Sequence, residues 1–391
     1  MIFDFVNNYF IFATSLYKIH ILFLCLDVRT NCKQEKSLMN RRNFIQTCGV
    51  APAAFLPASA SASENSHIFV KPIVGSWFEF EHHNQAGAKH WNSALPKFTT
   101  EQWKTLIFEM HEIGFEYLVM LSVAYNGKTY YPSKLQPRHD FVCEDPLEAV
   151  LSAADECGIK FFVSNDYWGD WRQVEKAMQE GDIWRIREKG MEETAEKYAH
   201  HKSFYGWYYP NESQLNPIFP DVAVSYINRC SKIVRSLTPN ALTMVAPYGT
   251  QYVKMNDQYI SQLEHLDIHI IAYQDEVGVQ KIKVGETGKY FEDLYKMHAK
   301  AGRARLWADV EIFDFEAEIY RSPGIAAPFE RVLQQITDVS PYVEHTLVYQ
   351  YQGFMNKPGT TAFAGHKSSE KLYTDYVKWL TEYRRISVGE D

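Results

Sequence analysis

The 391-residue sequence has few of the patterns that mark disulfide-rich, nucleotide-binding and nucleic-acid-binding proteins. It contains 6 cysteines, with no CxxC pair and only Cys143, Cys157 and Cys230 beyond residue 64. Neither a disulfide framework nor a cysteine zinc site is therefore indicated. No glycine-rich phosphate loop follows an apolar run, so a nucleotide-binding fold has no support. The net charge of −8 comes without a basic block, which argues against a nucleic-acid partner.

What is present is ordinary for a globular domain except for the aromatic content. The chain is 46% hydrophobic and 23% charged, which allows a sizeable core. Aromatic residues make up 15% of it, including 25 tyrosines and 9 tryptophans. Such rings serve either as core or as flat platforms that stack on ligands. Composition alone leaves both uses open.

The N-terminal part resembles an export leader. Met39 is followed by Arg41–Arg42, which resemble a twin-arginine signal, and a mildly apolar stretch then ends in small residues at 58–62. We interpret Met39 as the true start and everything before it as an upstream extension. The alternative is a signal anchor over residues 9–26, although that run is short and interrupted by charge.

Both interpretations place the folded domain at residues 64–391, after a leader at residues 1–63. The leader predicts export to the periplasm or the cell exterior. We expect the mature domain to be a monomer without membrane contact. We expect no cofactor.

A β-then-α rhythm recurs after residue 64. A capped amphipathic helix, for example, starts after Thr99 and closes at Gly114. Strands that alternate with helices imply parallel pairing, and eight such units predict a single-domain (β/α)8 TIM barrel of the α/β class rather than an open sheet. The candidate strands lie at 68–78, 117–123, 160–165, 203–209, 241–247, 266–273, 304–313 and 346–352.

The residues at the carboxyl ends of these strands are rich in rings and hydrogen-bonding groups. A barrel places its reactive groups at these ends. The combination suits a carbohydrate, because rings stack on the C–H face of a sugar while amides and carboxylates bind its hydroxyls. The predicted substrate-binding residues are Trp77, Tyr125, Asn165, Tyr167, Trp168, Asn211, Tyr248, Tyr273, Gln274, Asp275, Asp309, Tyr349 and Gln350.

Strand seven has the clearest alternation of side chains. Its apolar parity should face the helices, and Trp307, Asp309 and Glu311 should point into the barrel. A buried carboxylate is costly unless it has a partner or a chemical role. Glu311, near the mouth, is therefore a catalytic candidate, whereas Asp309 also fits a structural ion pair.

Glu212 provides a second carboxylate directly after strand four. Strands four and seven stand on opposite sides of a barrel, and cleavage of a glycosidic bond needs two carboxyl groups that flank it. We predict Glu212 as general acid/base, Glu311 as nucleophile of a retaining enzyme, and Asn211 as partner of a sugar hydroxyl. The alternative for Pro210-Asn211-Glu212 is a plain turn that leads into a helix.

These positions carry a family resemblance. Asn211-Glu212 and Glu311 resemble the acid/base and nucleophile positions of retaining barrel glycosidases. Residues 90–120, 206–212 and 267–279 are similar to one family, domain of unknown function 4434, over most of residues 70–360. The resemblance implies the barrel and a carbohydrate-active role, and it leaves the substrate open.

Other interpretations of the same residues remain. Residues 79–84 with His90 are candidate metal ligands, although no i,i+4 histidine pair supports them, and we expect no metal. If Asp275 is the second carboxylate, the enzyme inverts instead. A non-catalytic sugar-binding barrel and a sugar isomerase or epimerase use the same fold.

Overall fold

The computed structural model describes residues 70–388, which form a closed barrel of eight parallel strands. Each strand pairs with the next, and strand one closes the barrel against strand eight. The predicted (β/α)8 fold is confirmed, and the predicted leader lies outside the described residues. The barrel strands, numbered one to eight, are Gly75–Phe78, Tyr117–Met120, Lys160–Ser164, Phe204–Tyr208, Leu242–Val245, Ile270–Gln274, Arg305–Glu311 and Thr346–Tyr349.

Helices follow the strands and cover the outside of the barrel. Thr99 caps the first helix, α1 (Thr100–Glu112). The Thr99 hydroxyl accepts a hydrogen bond from the main-chain N–H of Gln102 at 3.2 Å, and the Gln102 side chain accepts one from the main-chain N–H of Thr99 at 3.0 Å. This capping box fixes the predicted helix start. The helices are α1 (Thr100–Glu112), α2 (Pro146–Cys157), α3 (Val174–Gln179), α4 (Gly181–Tyr198), α5 (Asp221–Leu237), α6 (Asp257–His265), α7 (Thr287–Ala301), α8 (Phe329–Val339) and a C-terminal helix (Ser368–Val388).

The core has two layers, one between the strands and the helices and one inside the barrel. Strand seven follows the predicted alternation. Leu306, Val310 and Ile312 belong to the outer layer, whereas Trp307 belongs to the inner one. Side chains of the other parity, nearer the mouth, are therefore free to face a ligand.

A hairpin that the sequence analysis did not predict follows strand seven. Phe313–Phe315 pairs antiparallel with Gly324–Ala326. The main-chain N–H of Gly324 donates to the carbonyl of Gly87 at 2.8 Å, and that of Ala326 donates to Ser368 Oγ at 3.1 Å. The hairpin is thus fastened both to the segment after strand one and to the C-terminal helix.

None of the helices between residues 70 and 388 combines the length and the apolar character needed to cross a bilayer. Cys143, Cys157 and Cys230 are free thiols.

Candidate active site

The main cavity opens at the carboxyl ends of the strands and has a volume of about 500 Å³. Nearly half of its wall residues carry an aromatic or imidazole ring, its acidic members are Glu212, Asp309 and Glu311, and its lysine is Lys281. The rings and imidazoles of the wall belong to His82, His83, Trp91, Tyr167, Trp171, Tyr248, Phe313, Phe315, Tyr320, Tyr349 and Phe354.

Glu212 follows strand four and lines the cavity as a half-buried side chain. Tyr208 donates to its Oε1 at 2.9 Å, and the Gln274 amide donates to its Oε2 at 2.8 Å. Burial raises the pKa of Glu212 to about 7, and the two hydrogen bonds oppose part of that rise. A carboxyl group with a pKa near neutrality is suited to proton transfer in both directions.

Glu311 ends strand seven and is 4% exposed. Its Oε2 accepts from the main-chain N–H of Val279 at 2.8 Å, and its own N–H donates to Asp275 Oδ1 at 3.0 Å. Burial, followed by the negative charge of Asp275, raises the pKa of Glu311. Asp275 itself is held from behind by Gln335 Nε2 at 2.6 Å.

Neither glutamate forms an ion pair with a basic side chain among residues 70–388, although the charge of Lys281, which lines the cavity, lowers the pKa of both. The nearby Lys281 pairs with Glu276, and Arg331 pairs with Asp314. Both glutamates therefore keep their carboxyl groups available to a ligand in the cavity.

Asp309 precedes Glu311 by two residues on strand seven, on the same inward face, and is 3% exposed. Its Oδ1 is buried without a hydrogen-bond partner, and within the described part of the chain the carboxyl group forms no ion pair. Burial, then the charges of Glu212 and Glu311, raises its pKa well above the usual range. The structural ion pair considered for Asp309 is not formed. An unpartnered buried carboxyl group destabilises a fold unless a ligand uses it.

A buried network supports the peptide that carries Glu212. Asn211 donates to Asp166 Oδ2 at 2.5 Å, Tyr226 donates to the same oxygen at 3.0 Å, and Arg187 forms an ion pair with it. Asn211 lies outside the cavity wall. Its side chain therefore anchors the turn before Glu212.

A second network lies under the opposite rim. Glu79 is fully buried and accepts from Trp91 Nε1 at 2.8 Å and from Gln350 Nε2 at 2.6 Å. His82 Nδ1 lies 2.9 Å from Glu79 Oε2 and 3.0 Å from the Tyr349 hydroxyl. The network fixes the His82 and Tyr349 rings that line the cavity.

The family of the chain follows from a match over most of this barrel. Residues 73–362 match a family described as a domain of unknown function, DUF4434. The chain belongs to the DUF4434 family. No curated protein matches it significantly in sequence.

Solved structures similar to this DUF4434 chain share its architecture. A "putative alpha-L-fucosidase" from Bacteroides thetaiotaomicron is 17% identical, with a TM-score of 0.61 over 85% of this chain and 99% of that one. A beta-galactosidase from Marinomonas ef1 is 10% identical, with a TM-score of 0.53 over 82% of this chain and 61% of that one. One from Halorubrum lacusprofundi is 11% identical, with a TM-score of 0.51 over 80% and 58%. At these identities the likeness shows a common fold.

The DUF4434 barrel brings together only part of the predicted set. Both glutamates line the cavity with Tyr167, Tyr248, Gln274, Asp309 and Tyr349. The remaining predicted residues lie outside its wall, and these are Trp77, Tyr125, Asn165, Trp168, Asn211, Tyr273, Asp275 and Gln350.

Two of the outlying residues point into the helix layer. The hydroxyl of Tyr273 lies 2.6 Å from that of Tyr259 and 2.9 Å from His298 Nε2. Asn165 donates to Cys230 Sγ at 3.2 Å. Both side chains are buried behind the strands and stabilise the packing there.

The outlying tryptophans are also packing residues. Trp77 lies inside the barrel, with its ring edge-on to Tyr208 at 5.9 Å between centroids. Trp168 packs on Gly190 so closely that a Cβ atom there would lie 2.2 Å from its ring. Tyr125 reaches the loop after strand one, where its hydroxyl donates to the His83 carbonyl at 3.3 Å.

Sequence reasoning missed several wall residues, because they belong to irregular segments. Trp171 faces His83 with 4.3 Å between ring centroids, and Tyr320 projects from the hairpin. The high aromatic content of the sequence agrees with rings that stack on a ligand, but it does not indicate which residues supply them. His82 and His83, considered as metal ligands, lie 4.4 Å apart between ring centroids but have different partners, since His82 binds Glu79 whereas His83 packs on Trp171.

Proposed function

We propose that this DUF4434 protein is a retaining glycoside hydrolase, with Glu212 as general acid/base and Glu311 as nucleophile. The observation that carries the proposal is that two carboxyl groups, one after strand four and one at the end of strand seven, line one cavity rich in aromatic rings and form no ion pair within residues 70–388. Two carboxyl groups that flank one bond are what hydrolysis of a glycoside requires.

The two residues divide the reaction between them. Glu212 gives its proton to the leaving oxygen while Glu311 attacks the anomeric carbon, so one C–O bond breaks and a glycosyl ester forms. Ionised Glu212 then takes a proton from water, and the resulting attack releases the sugar and the Glu311 carboxylate.

The surroundings support these roles. At neutral pH a substantial fraction of Glu212 carries the proton that it must donate, since its pKa is about 7. Glu311 must be ionised to attack. Burial and the charge of Asp275 raise its pKa and oppose that form, whereas the Val279 N–H stabilises it by hydrogen bonding. Two hydrogen bonds hold Glu311 in place, one from the Val279 N–H to its carboxylate and one from its own main-chain N–H to Asp275.

The substrate class follows from the cavity wall. Aromatic rings suit the C–H faces of sugars, and the unpartnered Asp309 suits sugar hydroxyl donors. The acidic floor disfavours sugars that carry carboxylates or sulfates, because like charges would be buried together. Structural neighbours named as a fucosidase and beta-galactosidases agree with a glycoside substrate.

Export is part of the proposal and depends on the leader. Residues 39–63 carry Arg41–Arg42, an apolar stretch and small residues before the folded domain. Fused to a reporter that folds before export, they should direct it out of the cytoplasm. Replacing both arginines by lysine should retain the reporter, and export of that variant would argue against a twin-arginine signal.

The activity test uses a panel of aryl glycosides and oligosaccharides with the wild-type protein, Glu212→Gln and Glu311→Gln. We expect hydrolysis of at least one substrate and a loss of at least about 100-fold in each variant. Glu175→Gln is the matched control, because it makes the same change at an exposed position outside the cavity wall. NMR of the first-formed anomer tests retention.

Chemical rescue separates the two roles. With azide, Glu311→Ala should give a glycosyl azide of inverted configuration, whereas Glu212→Ala should give one of retained configuration. Sugar binding without turnover by the wild type would favour the non-catalytic barrel. Full activity in both Gln variants would exclude this pair.

A further inference from the structure

Three metal-ligating side chains meet at the outer side of the hairpin. His90 Nε2 lies 2.8 Å from Glu316 Oε1, and the rings of His90 and His366 lie 4.8 Å apart between centroids. One ligand atom from each of the three residues lies within 4.8 Å of the others. They come from the segment after strand one, from the hairpin and from the turn before the C-terminal helix.

We propose that His90, Glu316 and His366 bind a divalent transition-metal ion, with Zn²⁺ as the best match. Two imidazoles and one carboxylate are a common zinc donor set, with water in the fourth position. Tetrahedral ligands at about 2.1 Å from zinc lie roughly 3.4 Å from one another. The three side chains reach that spacing by small rotations, because they are only partly buried.

The surroundings of His366 favour ligation through one defined nitrogen. Its Nδ1 lies 2.9 Å from Ser368 Oγ and accepts from the Ser368 main-chain N–H at 3.2 Å, which leaves Nε2 for a metal. Ligation through Nε2 requires Nδ1 to carry the proton and to donate it to Ser368 Oγ, the arrangement by which ligating histidines generally fix their tautomer and ring orientation. The contact with the Ser368 N–H is then given up. The same Ser368 hydroxyl accepts from the hairpin N–H of Ala326.

The proposed ion acts as a clamp on the wall of the cavity. Glu316 directly follows Phe315, and the same hairpin carries Tyr320. The rings of Phe315 and Tyr320 both line the cavity. A metal bound here joins the hairpin to two other segments and so restricts the motion of these rings. This inference does not depend on the glycosidase proposal.

A second group of possible ligands, Glu148, His200 and His201, lies away from the cavity wall. His201 contacts Asp155 at 2.8 Å and Glu148 at 3.1 Å. A metal there would displace the His201–Glu148 contact, as a metal at the hairpin would displace the His90–Glu316 contact. This group therefore serves as an internal comparison.

The test is metal content after equilibrium dialysis of the full chain, first against chelator and then against low micromolar Zn²⁺. We expect His90→Ala and Glu316→Ala each to bind one zinc ion fewer than the wild type. His111→Ala and His200→Ala should match the wild type, since His111 is exposed on α1 and His200 belongs to the comparison group. Zinc bound elsewhere, including at cysteines, cancels in the difference.

Thermal unfolding provides a second readout that also detects damaged variants. Zinc should raise the unfolding temperature of the wild type by several degrees and leave that of the two variants unchanged, because a ligand stabilises the state that binds it. Without zinc all proteins should unfold at similar temperatures. Equal zinc content in all five proteins, or a loss confined to His200→Ala, would overturn the proposal and leave a simple His90–Glu316 ion pair.

Discussion

The side-chain amide of Gln274 donates a hydrogen bond to the carboxylate of Glu212, with 2.8 Å between Nε2 and Oε2. The backbone of Gln274 lies in register with Asp309 on the next strand. One residue of strand six thus stands beside two of the cavity acids. Its hydrogen bond favours the ionised form of Glu212 and so opposes the effect of burial on the pKa.

Gln274→Met removes this donor at nearly constant volume. The pKa of Glu212 should rise by about one to two units, because a hydrogen bond to a charged group is worth about 1.5–3 kcal/mol. The alkaline limb of kcat/KM against pH should move upward accordingly, with lower kcat. An unmoved limb would show that the bond does not control proton transfer.

The wild-type protein should lose the proposed hydrolytic activity as the pH rises through about 7. Glu212 must be protonated to act as an acid, and its pKa is about 7. In Glu212→Gln the alkaline limb should disappear, and substrates with good leaving groups should be least affected, because they need little protonation. A limb that persists at the same pH in this variant would assign it to another group.

Asp309→Asn should stabilise the fold and lower the activity. Burial raises the folded-state pKa of Asp309, so its ionisation destabilises the fold increasingly as the pH rises above the unfolded pKa of roughly 4. Asn cannot ionise. At about pH 8 the variant should gain about 1–3 kcal/mol in urea unfolding, and below about pH 4 the gain should vanish because the acid is then neutral in both states.

The same variant should lose kcat/KM at every pH if Asp309 binds a sugar hydroxyl. Asn keeps one acceptor oxygen, so a loss of about tenfold is expected. A stabilised variant with unchanged kinetics would show that Asp309 does not contact the substrate.

Tyr320→Ala should weaken substrate binding without weakening the fold. The residue lines the cavity from the hairpin and is 53% exposed, so little packing is lost. A ring that stacks on a sugar is worth about 0.5–1.5 kcal/mol, which predicts a KM raised about two- to tenfold. Tyr320→Phe separates the ring from the hydroxyl, and an unchanged KM in both variants would contradict stacking.

Gly190→Ala should destabilise the protein by about 1–3 kcal/mol, since the added methyl group collides with Trp168. Gly181→Ala is the matched control on the same helix, where a Cβ atom meets only Arg185 at 3.9 Å. Urea unfolding measures both. Equal stability of the two variants would mean that Trp168 readily moves aside.

The barrel could be predicted because eight apolar, strand-like runs alternate with helical patterns along the sequence. The alternation in Leu306–Glu311 shows directly which side chains face inward, and parallel strands meet at one rim. Glu212 and Glu311 stand at strand ends, where the general geometry of the fold applies, and both line the cavity.

Residues near strand ends and in irregular segments were harder to place. Tyr273 lies on the outer parity of strand six, and a ring at a strand end does not by itself reveal its side. Tyr320 and Trp171 lie in segments without periodicity, so their position depends on tertiary contacts such as the Gly324–Gly87 hydrogen bond. The lack of a hydrogen-bond partner for Asp309 Oδ1 within residues 70–388 likewise depends on atoms from several strands.

The hydroxyl of Tyr376 binds both main-chain groups of Ile73, at 3.0 Å to the nitrogen and 3.3 Å to the oxygen, across 303 residues of chain. Strand one also needs strand eight to complete its hydrogen bonding. During synthesis, the first strand must therefore wait with one open edge until strand eight has left the ribosome. Nascent chains of this protein are consequently exposed to misassembly until that strand emerges, and chaperones that cover an open sheet should matter more to its yield than to its final stability.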